Sequence, residues 1–259
     1  MYKIPVYQPS LNGNEKKYVN ECIDSTWISS KGKFVGKFES AFAEYVDVKH
    51  ASTVSNGTVA IHLALLALGI GEDDEVIVPT LTYIASVNAI AYTGATPVFV
   101  DSLQDSWQID PADVEKKITS KTKAVIAVHL YGHPCDMDSL VEICNKHNIF
   151  LIEDCAEAIG SYYKNKHAGN FGDIATFSFY GNKTISTGEG GMVCTNNKKY
   201  FDVINMLRTG GITKDKKIML QKSKNELYYE QHYLGHNFRL SDIHAALGLS
   251  QLRKLQFFQ

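Results

Sequence analysis

The 259 residues predict a large α/β domain built on a mostly parallel sheet covered by helices on both faces. Three observations predict it. Six short runs are almost continuously apolar and β-branched, the pattern of strands buried on both sides. Segments with apolar residues at helical spacing lie between the first four runs, as parallel crossovers require. The last two runs follow each other closely, which adds at least one antiparallel pair.

In chain order, "SNGTVAIHLALLALG" (55–69) reads as a polar turn opening an apolar helix. The strand runs are Glu75–Pro79, Thr96–Asp101, Lys123–Leu130, Ile149–Asp154, Asp173–Tyr180 and Gly190–Thr195. Between them, "IASVNAIAYTG" and "MDSLVEICNKHN" carry the helical period. The tail "RLSDIHAALGLSQLRKLQFFQ" reads as a helix capped near Ser241 or Asp242. The lysines at 214, 216, 217, 222 and 224 have no interleaved aromatics and read as a polar loop.

Composition excludes several classes. A formal net charge of −2 gives no basic field to recruit nucleic acid or anionic lipid. The five cysteines form no CxxC pair and are odd in number, which argues against a disulfide framework or a zinc cluster and for a reducing compartment. No run approaches the ~20 apolar residues of a membrane span. The N-terminus lacks the apolar core of a signal peptide, so the cytoplasm is expected, and the sequons at Asn56 and Asn182 carry no weight as glycan sites.

Ligands of parallel sheets gather beyond the carboxyl ends of the strands. That rule selects Pro79–Thr80, Asp101, His129–Gly132, Asp154 and Tyr180–Lys183. Ser55, Asn56 and Thr58 sit beside unpaired amides at a helix start, fit for an anion or for simple N-capping; His62, within that helix, reads as a packed histidine. Asp154 ends a buried strand, where a carboxylate is costly unless it meets a cation or strong donors; an ordinary cap for the next segment is the other reading. Lys183 lies in "FSFYGNKTISTGEGG", between a strand-like run and glycines, rather than on a charged helix face. No GxGxxG follows an early strand, and "GNKT" lacks the glycines of a P-loop. A phosphate cradle, a carboxylate for a ring nitrogen, a lysine and an aromatic wall at Tyr83 are together what pyridoxal 5'-phosphate needs.

The strings "TVSNGTVAIHLALLALGIGEDDEVIVPTLTYIASVNAIAYTGATPVFVD", "VHLYGHPCDM", "LIEDCAEAIGS", "GDIATFSFYGNKTISTGEGGMV" and "GHNFRLSDIHAALGLSQL" resemble the sugar aminotransferases of the DegT/DnrJ/EryC1/StrS type. The resemblance implies the aspartate-aminotransferase fold (fold type I). It implies a pyridoxal-phosphate enzyme passing an amino group from L-glutamate to C4 of a GDP-, UDP- or dTDP-linked 4-keto-6-deoxy sugar for surface glycans. Carried over by position, Lys183 would hold the cofactor covalently and Asp154 its ring nitrogen, with Glu157 on the hydroxyl side. Asn56, Gly57, Thr58 and Ser178 would surround the phosphate, and Tyr83 would stack on the ring. Asn237 would reach the partner's site in a homodimer. A dehydrating relative of the family has histidine at the lysine position, so lysine implies transamination.

A donor carboxylate calls for a bidentate arginine. Arg208, Arg239 and Arg253 are the arginines present, and Arg239 is the best placed. The expected organisation is a cofactor-binding large domain over 1–238 and, over 239–259, the start of a helix leading into a C-terminal domain that is largely missing. A second expectation follows from that: a non-catalytic remnant that binds cofactor or dimerises. A nicotinamide-dependent oxidoreductase is a third reading, disfavoured by the absent glycine fingerprint.

Overall fold

The computed structural model describes residues 4–212, 231 and 233–258; the predicted lysine-rich loop lies outside them. Two helices open the described chain, α1 (Glu15–Asp24) and α2 (Lys33–Val46), followed by β1 (His50–Val54) and α3 (Gly57–Ala67). Then come β2 (Glu75–Pro79), α4 (Ile84–Tyr92), β3 (Thr96–Val100), α5 (Pro111–Lys117), β4 (Thr122–Val128), α6 (Met137–His147) and β5 (Phe150–Asp154). A small hairpin, β6 (Tyr162–Tyr163) and β7 (Lys166–His167), precedes β8 (Ile174–Ser178), β9 (Gly191–Thr195) and α7 (Lys198–Leu207). The described chain closes with α8 (Asp242–Leu252) and α9 (Leu255–Phe258).

Seven strands form one sheet in the order β1-β9-β8-β5-β4-β2-β3. The run from β3 to β8 is parallel, and β9 is antiparallel to both β8 and β1. All six expected strands are present, and the antiparallel pair is β8–β9. β4 stops at Val128 rather than Leu130 because the chain turns through a short 3₁₀ segment in which Tyr131 adopts φ 54°. β1 and the hairpin had no counterpart in the expectation.

Side chains alternate across each strand, so the sheet has two distinct inner surfaces. One packs Ala124 and Ile126 of β4, Ile152 of β5 and Ile174 of β8 against α3, α4 and α7. The other packs Phe177 and Met192 against Phe34, Phe38 and Phe42 of α2 and Ala245, Ala246 and Leu249 of α8. Phe42 meets Phe177 edge-on at 4.9 Å. This alternation puts Asp154 on the α3/α4 side and its neighbour Glu153 on the opposite side.

α8 is tied to the front of the chain by buried polar contacts. Ser241 caps α8 itself, whereas Asp242 accepts from the backbone amides of Phe34 (2.7 Å) and Val35 (2.9 Å) and so caps α2. Gln251 donates to Ser10 O and to Glu15, and accepts from the amide of Ser186.

Glu15 is 2% exposed and takes hydrogen bonds from Gly13 N and Gln251 and an ion pair from Lys254 at 2.6 Å. Burial works to raise its pKa, but these donors, Lys254 foremost, lower it from 4.5 to about 2. A carboxyl depressed in the folded state stabilises above its unfolded pKa and loses that contribution as pH falls towards its folded pKa. Glu15→Gln is expected to remove about 2–3 kcal/mol at neutral pH. It should also flatten the fall in stability between pH 4.5 and about 2, measured by denaturant unfolding at a series of pH values. An unchanged acid limb would contradict the assignment.

Candidate active site

A cavity of about 550 Å³ opens at the carboxyl ends of β4, β5 and β8, on the α3/α4 side of the sheet. Registration explains its lining. Val128 pairs with Asp154 and Asp154 with Thr176, so all three side chains point to the same side, and Ser178 follows two residues on.

One end of the cavity is the start of α3. Asn56 caps the helix by accepting from Val59 N at 3.0 Å, the capping alternative the sequence left open. Capping leaves the first helical amides, Gly57 and Thr58, without intrahelical acceptors, and both residues line the cavity. A side chain at Gly57 would begin 2.9 Å from Ser178 Cβ, so only glycine lets the helix start lie against β8. Gly191 does the same for β9, where a Cβ would stand 2.6 Å from Asn56 O.

Asp154 is buried; its Oδ2 accepts from Ser86 Oγ at 2.7 Å and its Oδ1 from Ala156 N at 3.1 Å. Burial pushes its pKa up, against the two hydrogen bonds and the nearby Lys183 charge. Lys183 rides on the turn after β8, with its amide bonded to Tyr180 O. Its Nζ lies 3.3 Å from Glu157 Oε1, while Glu157 Oε2 accepts from Tyr131 N at 2.7 Å. The base of the loop is closed by Phe179 N to Gly190 O and Thr187 N to Phe179 O.

The cavity therefore gathers Asn56, Gly57, Thr58, Tyr83, Asp154, Glu157, Ser178 and Lys183, every predicted cofactor-site residue except Asn237. Tyr83 forms the rim and is 77% exposed. Asn237 is exposed on a segment that bridges to Thr209, and Arg239 is exposed too; neither lines the cavity. Arg208 is committed to Glu39 and Thr53, and Arg253 to Tyr18. His62 is packed near His236 and Tyr92, and burial lowers its pKa to about 4.

Ser86 escaped the sequence reading, and His129 was selected there only by its place at a strand end. Ser86 looks like any small residue of α4. His129 lines the cavity and reaches Glu153 through Nε2 at 3.1 Å, while its Nδ1 accepts from Cys135 N. Glu153 also accepts the amides of Gly169, Phe171 and Gly172, each at 2.7 Å. With Cys155, whose thiol burial pushes up to about 12, these residues could present three metal-ligating atoms. The Glu153 carboxylate is instead spent on protein donors.

The residues present fit pyridoxal phosphate. Free amides beside a serine hydroxyl suit a phosphate. A buried carboxylate, costly to ionise unless it meets a cation, suits a cationic ring N–H, and Lys183, the one lysine lining the cavity among the described residues, suits an aldehyde.

Comparison with known proteins agrees. The model of the DegT/DnrJ/EryC1/StrS aminotransferase family matches residues 9–259. A protein of Escherichia coli O157:H7 named GDP-perosamine synthase is 60% identical over 100% of this chain and 68% of its own length. One of that name from Vibrio cholerae is 52% identical over 97% of this chain and 66% of its own. The solved structure of a putative sugar aminotransferase, Spr1654 of Streptococcus pneumoniae in its PMP form, superposes with a TM-score of 0.91 at 32% identity, covering 98% of this chain and 68% of that one. The chain thus spans about two thirds of the length of these relatives. Its architecture is that of the fold type I aminotransferases, and the chain belongs to the DegT/DnrJ/EryC1/StrS aminotransferase family.

Proposed function

We propose that this chain is a pyridoxal-phosphate-dependent aminotransferase that moves an amino group from L-glutamate to C4 of a GDP-linked 4-keto-6-deoxy sugar, in the cytoplasm and as a homodimer. The observation that carries the reading is the convergence of the α3 start, Asp154 and Lys183 in one cavity. The relatives named GDP-perosamine synthase support the choice of GDP over UDP or dTDP.

Pyridoxal phosphate, when bound, supplies an electron sink for the bonding pair released at the donor's Cα. Asn56, Gly57, Thr58 and Ser178 would hold its phosphate, Tyr83 would wall its ring, and Glu157 would face its hydroxyl. Asp154 would keep the ring nitrogen protonated through its own negative charge. Lys183 would anchor the cofactor and, as a free amine, would accept the donor's Cα proton on Nζ and later give it back. Glu157, fixed by the Tyr131 amide, holds that Nζ between the two steps. Asn237, exposed, would reach the partner's phosphate, and Arg239 would meet the donor carboxylate.

The test is amino transfer from glutamate to a panel of GDP-, UDP- and dTDP-linked 4-keto-6-deoxy sugars, read by mass spectrometry. A 4-amino sugar linked to GDP is expected. Transfer to another nucleotide alone would overturn the substrate, and cofactor binding with no transfer to any would favour the binding remnant.

A further inference from the structure

Asp154 is held from two directions, and one of them is a side chain to which the reaction has given no part. Ser86 is fully buried in the first turn of α4, at the third helical position after Tyr83. A serine there can bond to its own helix; here its hydroxyl instead points at Asp154 Oδ2, 2.7 Å away. Thr82 Oγ1 lies 3.3 Å from Ser86 Oγ. Tyr83 O, also 3.3 Å from Thr82 Oγ1, competes with Ser86 Oγ for the single Thr82 proton. The directed bond is the one from Ser86 to Asp154, which ties the first turn of α4 to the carboxylate.

The geometry points to Ser86 as the residue that positions Asp154 for the cofactor's ring nitrogen, a role that rests on the cofactor reading above. The Ala156 amide occupies Oδ1 and Ser86 occupies Oδ2, which fixes the plane of the carboxylate and leaves each oxygen a further lone pair. Both donors favour the charged form against the burial that opposes it. The other titratable groups facing Asp154 are Lys183, from the turn after β8, and His129, at the end of β4. His129 accepts the Cys135 amide on Nδ1, which places its ring proton on Nε2, towards Glu153. The same turn of α4 carries Tyr83, so ring wall and carboxylate anchor are set by one rigid element.

The experiment measures equilibrium binding, not turnover. Pyridoxamine phosphate, which forms no bond to Lys183, is titrated into wild type, Ser86→Ala and Ser86→Thr over a range of pH. An analogue with carbon in place of the ring nitrogen is titrated alongside. Ser86→Ala is expected to bind pyridoxamine phosphate about tenfold more weakly, and its loss of affinity on acidification should begin at higher pH. The carbon analogue should bind both proteins alike, and Ser86→Thr, which keeps the hydroxyl, should recover wild-type behaviour. Equal weakening towards both compounds would reveal a merely structural serine and overturn the inference, as would wild-type affinity in Ser86→Ala. Asp154→Asn separates the two levels. If it discriminates against pyridoxamine phosphate while Ser86→Ala does not, the cofactor reading stands and the Ser86 role falls. If wild type itself binds neither compound, both fall.

Discussion

Lys183→Ala is expected to abolish amino transfer and the absorption of protein-linked cofactor while leaving the fold intact. Among the described residues Lys183 is the one lysine lining the cavity, and its side chain is only 18% exposed. Removing a positioned acid–base group costs roughly 100- to 10,000-fold in rate, and here the covalent anchor goes with it. Stability should change little. The ion pair to the part-exposed Glu157 is of the solvent-screened kind that contributes about 1 kcal/mol at most, and the loop is closed by the Phe179, Thr187 and Gly190 backbone. Absorption spectra, glutamate half-reaction rates and thermal melts of the two proteins decide it. A variant that keeps both the absorption and the turnover would remove Lys183 from the mechanism.

Asp154→Asn is expected to separate binding from chemistry. The amide fits the same space and leaves Lys183 free to anchor the cofactor, but it carries no charge to hold a proton on the ring nitrogen. Loss of a pre-set charge at a developing electron sink should reduce turnover roughly 100-fold or more. Stability of the cofactor-free protein should move the other way. Burial raises the Asp154 pKa in the folded state, so its ionisation opposes folding once pH rises above the ordinary carboxylate value. The asparagine variant should therefore melt higher than wild type near neutral pH and equally at low pH, where both side chains are neutral. Near-normal turnover, or a lower melting point at neutral pH, would count against the assigned charge.

The sheet was legible because strands buried on both faces leave an unmistakable apolar run, as in "KAVIAVHL" and "IFLIED". β1 was missed because "HASTV" mixes in Ser52 and Thr53, polar residues that the sheet buries. The stripe Phe34, Phe38, Phe42, Val46 announces α2 at four-residue spacing and went unread. Lys183 and Asp154 stood out because a charge at the end of an apolar run needs a reason. Ser86 did not, and His129 was picked out only as a strand end, since their meaning lies in which residue they face across α4 and β5, a tertiary fact that spacing does not encode. Asn237 and Arg239 rested on resemblance, and in the single chain both face outward.

The Gln251 side chain has a consequence for how the molecule comes into being. One amide joins the segment at Ser10, the helix beginning at Glu15 and the loop of Lys183 through Ser186. Contacts so distant in sequence are slow to close. During synthesis from the N-terminus, β2 to β5 can associate early, since these four strands pair among themselves. The lysine loop gains its brace only after residue 251 has left the ribosome. The Lys183 side chain is thus among the last parts of the molecule to be set in place, after the sheet beneath it already exists.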